Sequence, residues 1–167
     1  MISNRIIEYL QQNGVPFQRR PHPRAISANE LAQSLHVTGY RVAKSVVVEA
    51  DGRRYLVVLP APELVNVSQL SELLGAPARL LDEREFAPLF PECEVGAEPP
   101  FGKLYGLPVI MDRSLETAPR LLFRAGSHTE SLELDYRDFV TLEKPWIAAF
   151  AIAPEWIEAE RAREAGV

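Results

Sequence analysis

Lys44 sits in the run Val42-Ala43-Lys44-Ser45-Val46-Val47-Val48, where strand alternation gives it the same face as Val42, Val46 and Val48. A charge on an apolar strand face is costly unless its stem reaches water or its ammonium meets an anion. Lys44 is therefore either a solvated residue at a strand's exposed start or a contact for phosphate. Asp112 closes the apolar run Val109-Ile110-Met111 and precedes Arg113-Ser114, a place for a helix cap or for an acid that works on a substrate. Gly126-Ser127-His128-Thr129 follows Phe123-Arg124-Ala125, and a glycine there releases the chain into a tight turn that presents Ser127 and His128. Such a turn between two strands also needs no function.

The stretch Cys93 to Lys103 has almost no residues that favour helix or strand, and compact domains seldom carry so long a connection unless it binds something. Gly96 permits backbone angles closed to other residues, while Pro99 and Pro100 fix φ and remove two amide donors. The remaining N–H groups of such a loop can point one way, towards an anion or a carbonyl oxygen.

Several chemistries are excluded. No G-x-G-x-x-G follows a strand, and there is no phosphate-binding P-loop, no H-E-x-x-H and no G-x-S-x-G. Cys93 is the only cysteine, so neither an internal disulfide nor a thiolate cluster can form, and His22 and His36 lack partners at metal spacing. We expect no metal and no cofactor. No apolar run approaches the ~20 residues of a membrane helix, and Met1 to Arg5 lacks a secretory layout, so a cytoplasmic protein without a membrane partner is expected. The net charge is −5, but residues 1–60 carry +4 and residues 61–167 carry −9. A basic amino-terminal third can dock a phosphate backbone locally, because salt screens charges beyond ~10 Å. As a bland alternative, those basic residues are simply solvated.

The secondary structure around these residues follows from pattern. Ile2, Ile6, Ile7 and Leu10 recur at helical spacing up to Asn13-Gly14, and an extended piece carrying Arg19, Arg20, His22 and Arg24 follows. Ser27-Ala28-Asn29-Glu30 is a capping box for a helix through Leu35. β-Branched residues then run from Val42 to Val48, Asp51-Gly52 marks a hairpin, and Tyr55 to Leu59 returns, ended by Pro60. A helix is expected from Asn66 to Leu74, a strand over Ala78–Leu81, and a helix from the Asp82–Glu85 box to about Leu89. Pro108–Met111, Arg120–Ala125 and Ser131–Leu134 read as strands, Asp135–Leu142 as a helix, and Pro154–Arg163 as a terminal helix. Interleaved helices and strands with hairpin pairs predict a single α/β domain over residues 1–167, with a mixed α+β arrangement.

Taken in order, Ala43-Lys44-Ser45, Gly96-x-x-x-Pro100-Phe101-Gly102, Val109-Ile110-Met111-Asp112 and Ala125-Gly126-Ser127 resemble the YbaK/prolyl-tRNA synthetase-associated editing domain, from about His22 to Leu142. That resemblance implies a curved, mixed, largely antiparallel sheet surrounded by helices. It also implies hydrolysis, in trans, of the ester joining a wrong amino acid to transfer RNA, most often tRNA for proline carrying Ala, Cys or Ser. By the same likeness Lys44 contacts a phosphate near the acceptor end, and the amides of Gly96 to Pro100 hold the substrate carbonyl or the attacking water. Asp112 braces the site. Ser45, Ala97, Phe101, Gly102, Gly126, Ser127 and His128 would line the aminoacyl pocket. The family uses no side-chain nucleophile, because the terminal ribose hydroxyl assists the water. The acidic net charge implies help from a synthetase or elongation factor in binding the RNA. Ser45 stands where some members carry Asn, and Glu98 puts a negative charge into the loop. Two alternatives remain open: a non-catalytic module of the same fold that binds RNA ends or a synthetase, and a hydrolase of small-molecule esters.

Overall fold

The structure is a computed structural model that describes residues 2–155 together with residues 162, 163 and 166. In chain order the elements are α1 (Asn4–Gln12), β1 (Gln18–Pro21), α2 (Ala28–Ser34), β2 (Val42–Ala50), β3 (Arg53–Pro60), β4 (Leu64–Val65), α3 (Val67–Leu74), β5 (Ala78–Leu80), α4 (Glu83–Phe86), α5 (Gly102–Tyr105), β6 (Val109–Asp112), β7 (Arg120–Arg124), β8 (Glu130–Asp135), α6 (Tyr136–Glu143), β9 (Trp146–Ala148) and β10 (Ala151–Ile152). The local signals account for most boundaries. Ser27 Oγ accepts the Glu30 N–H (3.0 Å) and Glu30 reaches back to the Ser27 amide, closing the capping box of α2. Asp82 and Glu85 do the same for α4. The helix expected to continue to Leu89 tightens into a 3₁₀ turn over Ala87–Leu89, where Pro88 cannot donate. Asp51 and Gly52 both hold positive φ, 52° and 73°, as a two-residue hairpin turn requires.

Other features needed the fold. The arginine-rich extended piece becomes β1, paired antiparallel with β8. The short strands β4, β9 and β10 carry no signal of their own, and the end of the Cys93–Lys103 stretch is helical from Gly102. Most of the expected Pro154–Arg163 helix lies outside the described residues.

The main sheet runs β1-β8-β7-β2-β3-β6-β9, with β5 added beside β2. It is mixed, as expected, although parallel pairing takes a larger share than hairpins alone would give: β2–β7, β3–β6 and β6–β9 are parallel. Each face buries its own core. One face carries Ala43, Val47, Leu56, Val58, Met111, Phe123 and Leu132, packed against Leu10 of α1, Phe101 and Phe139 of α6. On the other, Leu31 of α2 covers Val42 and Leu122, while Leu70 of α3 covers Val48, Val57 and Leu59. Burying two apolar faces of one sheet is the main stabilisation, at about 25 cal/mol per Å² of apolar surface removed from water.

That second face is left uncovered between α2 and α3, where Lys44 and Val46 lie, both half-buried. The same place is a break in the sheet. β2 pairs with β7 only through Val42 and Ala43, and with β5 only from Val48 to Ala50. Val42 O accepts from Ala61 N (2.9 Å), and Val47 O accepts from Leu81 N (2.9 Å) on the opposite edge. By strand alternation the amide and carbonyl of Ser45 therefore face the break, where no strand pairs with them.

Candidate active site

A hollow of about 290 Å³ occupies this break. That is roughly twice the ~150 Å³ cavity that holds a benzene ring. Its walls come from both sides of β2: Val42 to Val47, Leu81 and Phe86, then Ile26 to Ala28 ahead of and entering α2, Arg124 at the end of β7, and Gly96 with Glu98 from the loop. The sheet opens here for a local reason. Gly126, at φ +88°, turns the chain away after β7, and the loop is strapped to it, Gly126 N donating to Ala97 O (2.8 Å) and Glu94 N to Gly126 O (3.0 Å).

Lys44 lies on the wall with its stem in apolar surroundings. Burial lowers its pKa below the usual lysine value, while Glu63 acts in the opposite sense. Burial raises the pKa of Glu63, and Asp112 raises it further. No carboxylate among the described residues reaches ion-pair distance of the Lys44 ammonium. Next to it, the Ser45 hydroxyl is buried without a hydrogen-bond partner. Arg124 is 6% exposed, its terminal nitrogens donating to the carbonyls of Ile26 and Ser27 and meeting His128 Nδ1, while its Nε is buried and unpartnered. Polar atoms left this way in a cavity wall are rare in native proteins.

The loop departs from the sequence expectation. Its amides were expected to converge on a ligand, but they are taken within the fold: Gly96 N–H donates to Glu98 Oε1 (2.9 Å), Ala97 N–H donates to Glu94 O (3.0 Å), and Glu98 N–H bonds its own carboxylate. Pro99 and Pro100 have none to give. The physical reason is Glu98 itself, which folds back into the hollow instead of pointing to solvent.

Lys44, Ser45 and Gly96 thus line the hollow together. His128 stands behind Gly96, where an added Cβ would meet its ring at 3.5 Å; its Nε2 bonds Val95 O (2.8 Å), and its N–H donates to Glu94 Oε2 (2.7 Å). Ser127 is fully buried beside it, and Gly126 and Ala97 are the strap. Two expected lining residues, Phe101 and Gly102, serve the core instead, and so does Pro100 from the stretch expected to hold the substrate carbonyl or the water. Phe101 is 0% exposed and packs edge-on to Tyr9 and Phe123, Pro100 is buried, and Gly102 lets the chain pass so close to Leu107 that a Cβ would fall 2.2 Å from its carbonyl oxygen. Asp112 is not in the wall. Its Oδ1 accepts the amides of Phe150 and Ala151 (both 2.9 Å), and its Oδ2 accepts the Ser114 amide (3.1 Å) and hydroxyl. Two wall residues, Glu98 and Arg124, were not assigned to the pocket from sequence. A signal for Arg124 existed: in β7 it follows the apolar run Leu121-Leu122-Phe123, the same argument that singles out Lys44.

Among the described residues no group of three or more His, Cys, Asp or Glu side chains is placed to hold a metal ion, and no helix is long and apolar enough to cross a membrane. Similarity to known proteins agrees with this architecture. The family described as the aminoacyl-tRNA editing domain matches residues 22–142. No curated protein matches the chain. Among solved structures, a hypothetical protein is 23% identical with a TM-score of 0.82, covering 89% of this chain and 100% of its own. A candidate trans-editing enzyme for prolyl-tRNA synthetase is 20% identical with a TM-score of 0.80, covering 92% and 100%. A candidate signal transduction protein from Marinobacter aquaeolei is 17% identical with a TM-score of 0.72, the match spanning 91% of this chain and 31% of that one. Likeness at these identities establishes the fold, and one fold hosts many functions.

Proposed function

The chain belongs to the aminoacyl-tRNA editing domain family, and from that premise we propose that it is a free-standing deacylase of mischarged aminoacyl-tRNA, acting on tRNA for proline that carries Ala, Cys or Ser. The observation that carries this reading is the hollow at the break in the sheet, where an ammonium without an ion pair, Lys44, and unpartnered donors on Ser45 and Arg124 share one small cavity. Lys44 holds a phosphate of the acceptor end. Water adds to the ester carbonyl, helped by the substrate's neighbouring ribose hydroxyl, and the oxygen that gains charge is met by the Ser45 amide and hydroxyl. Collapse then breaks the carbon–oxygen bond to the ribose, whose oxygen takes up the proton given up by the water, and frees the amino acid. An aminoacyl ester is already activated, so positioning with a few preorganised donors suffices without a side-chain nucleophile. Asp112, bonded to backbone on two sides, braces the end of β6 instead of touching substrate. Specificity is steric: one methylene is worth only ~1–3 kcal/mol, so a larger cognate residue is refused by clash.

The test is ester hydrolysis of Ala-, Cys- and Ser-charged tRNA for proline by wild type and Lys44→Ala. Losing one charged contact worth ~1.5–3 kcal/mol should lower kcat/KM about 10- to 100-fold. Full activity in Lys44→Ala, or none in wild type, refutes the reading. A second reading, a non-catalytic module that docks RNA ends or a synthetase, finds support in the loop amides already bonded within the loop. It predicts salt-sensitive binding of charged and uncharged tRNA alike, without turnover. A synthetase or elongation factor as carrier of the RNA belongs to the same proposal.

A further inference from the structure

Glu98 is an acid in the cavity proposed to take an anionic substrate, and among the described residues no cation forms an ion pair with it. It lines the hollow half-buried, and its bonds are to the amides of its own loop, Gly96 and Glu98. A carboxylate has about four lone-pair sites, and amides satisfy two of them without cancelling the charge. The neighbouring described side chains have partners of their own, although Arg124 keeps one unpartnered nitrogen and Lys44 forms no ion pair. The terminal nitrogens of Arg124 are committed to Ile26 O, Ser27 O and His128. His128 is bonded through both ring nitrogens, Arg24 pairs with Glu94 at 3.5 Å, and Lys44 faces Glu63. Burial raises the Glu98 pKa above the ordinary carboxylate value, against the opposite pull of the loop amides and of His128 and Arg124.

We propose that Glu98 is the receptor for the free α-ammonium of the aminoacyl group. This rests on the deacylase reading above and deepens it. The reacting end of an aminoacyl-tRNA carries one positive charge, the α-ammonium, on the carbon next to the ester carbonyl. Holding it at Glu98 swings that carbonyl towards β2, where the Ser45 amide faces the break. The phosphate end is left to Lys44, so the acid and the base of the hollow recognise opposite ends of one ligand. Glu98 is thereby a specificity element for an unblocked amine, beyond the size of the side chain.

A conservative variant separates recognition from loop structure. In Glu98→Gln the amide oxygen still accepts the Gly96 N–H, so the loop keeps its shape while the charge is gone. The probes are acceptor-stem RNAs ending in a non-hydrolysable 3′-amide-linked alanyl group, or the lactyl group of equal size with hydroxyl in place of ammonium. Wild type should bind the alanyl probe about 10- to 100-fold more tightly than the lactyl one, the range of a charge-assisted contact. Glu98→Gln should bring the two within about threefold. An unchanged preference in the variant, no preference in wild type, or no binding of either probe overturns the proposal. Turnover of Ala-charged tRNA, measured alongside, distinguishes the two readings: a preference that depends on Glu98 without turnover removes the deacylase and keeps the amine receptor.

Discussion

Replacing Asp112 with Ala tests whether this acid braces or reacts. The residue is 4% exposed and its carboxylate accepts four hydrogen bonds, two from the consecutive amides of Phe150, just before β10, and Ala151, its first residue, and two from Ser114. Truncation leaves the two β10 amides without an acceptor, at ~1–3 kcal/mol each, and removes a cap worth ~1 kcal/mol from the turn after β6. Allowing for relaxation, the loss is about 4 kcal/mol, a large part of the ~5–15 kcal/mol that holds a domain together. For a chain of this length the thermal midpoint should fall by roughly 10 °C. Asp112→Asn keeps one oxygen for the β10 amides but turns an N–H₂ towards the Ser114 amide, so it should cost about half as much. Urea unfolding followed by circular dichroism measures both, with deacylation assayed at a temperature where each variant is folded. A midpoint within 0.5 kcal/mol of wild type, on the scale of an ordinary surface change, refutes the bracing argument. An inactive Asp112→Ala of unchanged stability would move the carboxylate into the chemistry.

Gly102→Ala should lose soluble expression or unfold at least about 3 kcal/mol more easily, because the new methyl falls 2.2 Å from the Leu107 carbonyl oxygen and 2.5 Å from Val109 Cγ2, and backbone cannot give way. Equal thermal midpoints would contradict it. Glu133, 4% exposed, is surrounded by Arg20, Arg41 and Arg120; burial pushes its pKa up, but hydrogen bonds from Arg120 and Arg20 outweigh that and hold it below the ordinary carboxylate value. A depressed folded-state pKa means stability that is full above the unfolded value near 4.3 and drains as pH falls through the folded one. Glu133→Gln should therefore cost about 2 kcal/mol at pH 7, since the arginines still reach water, and the gap to wild type should shrink in an acid titration of the unfolding midpoint. A gap that stays constant down to pH 3 would show that the charge is not involved.

Features enforced by neighbours along the chain were legible before the fold was known. The capping boxes at Ser27 and Asp82, the cap of α3 at Asn66 and the turn at Asp51-Gly52 close within four residues, so their partners are visible in the same short stretch. The apolar alternation around Lys44 likewise marked a charge that needed explaining. Tertiary structure alone decided the pairing of β1 with β8, the parallel neighbours of β2, β3 and β6, and above all the break beside Ser45. It also turned Glu98 inward, brought Arg124 to the wall and gave Asp112 to the amides of Phe150 and Ala151. Apart from Glu98, which bonds within its own loop, each of these depends on a partner tens of residues away in the chain, and a hydrogen bond or a buried charge is settled by whatever the fold brings within about 3 Å of it, which residue type and local spacing do not specify.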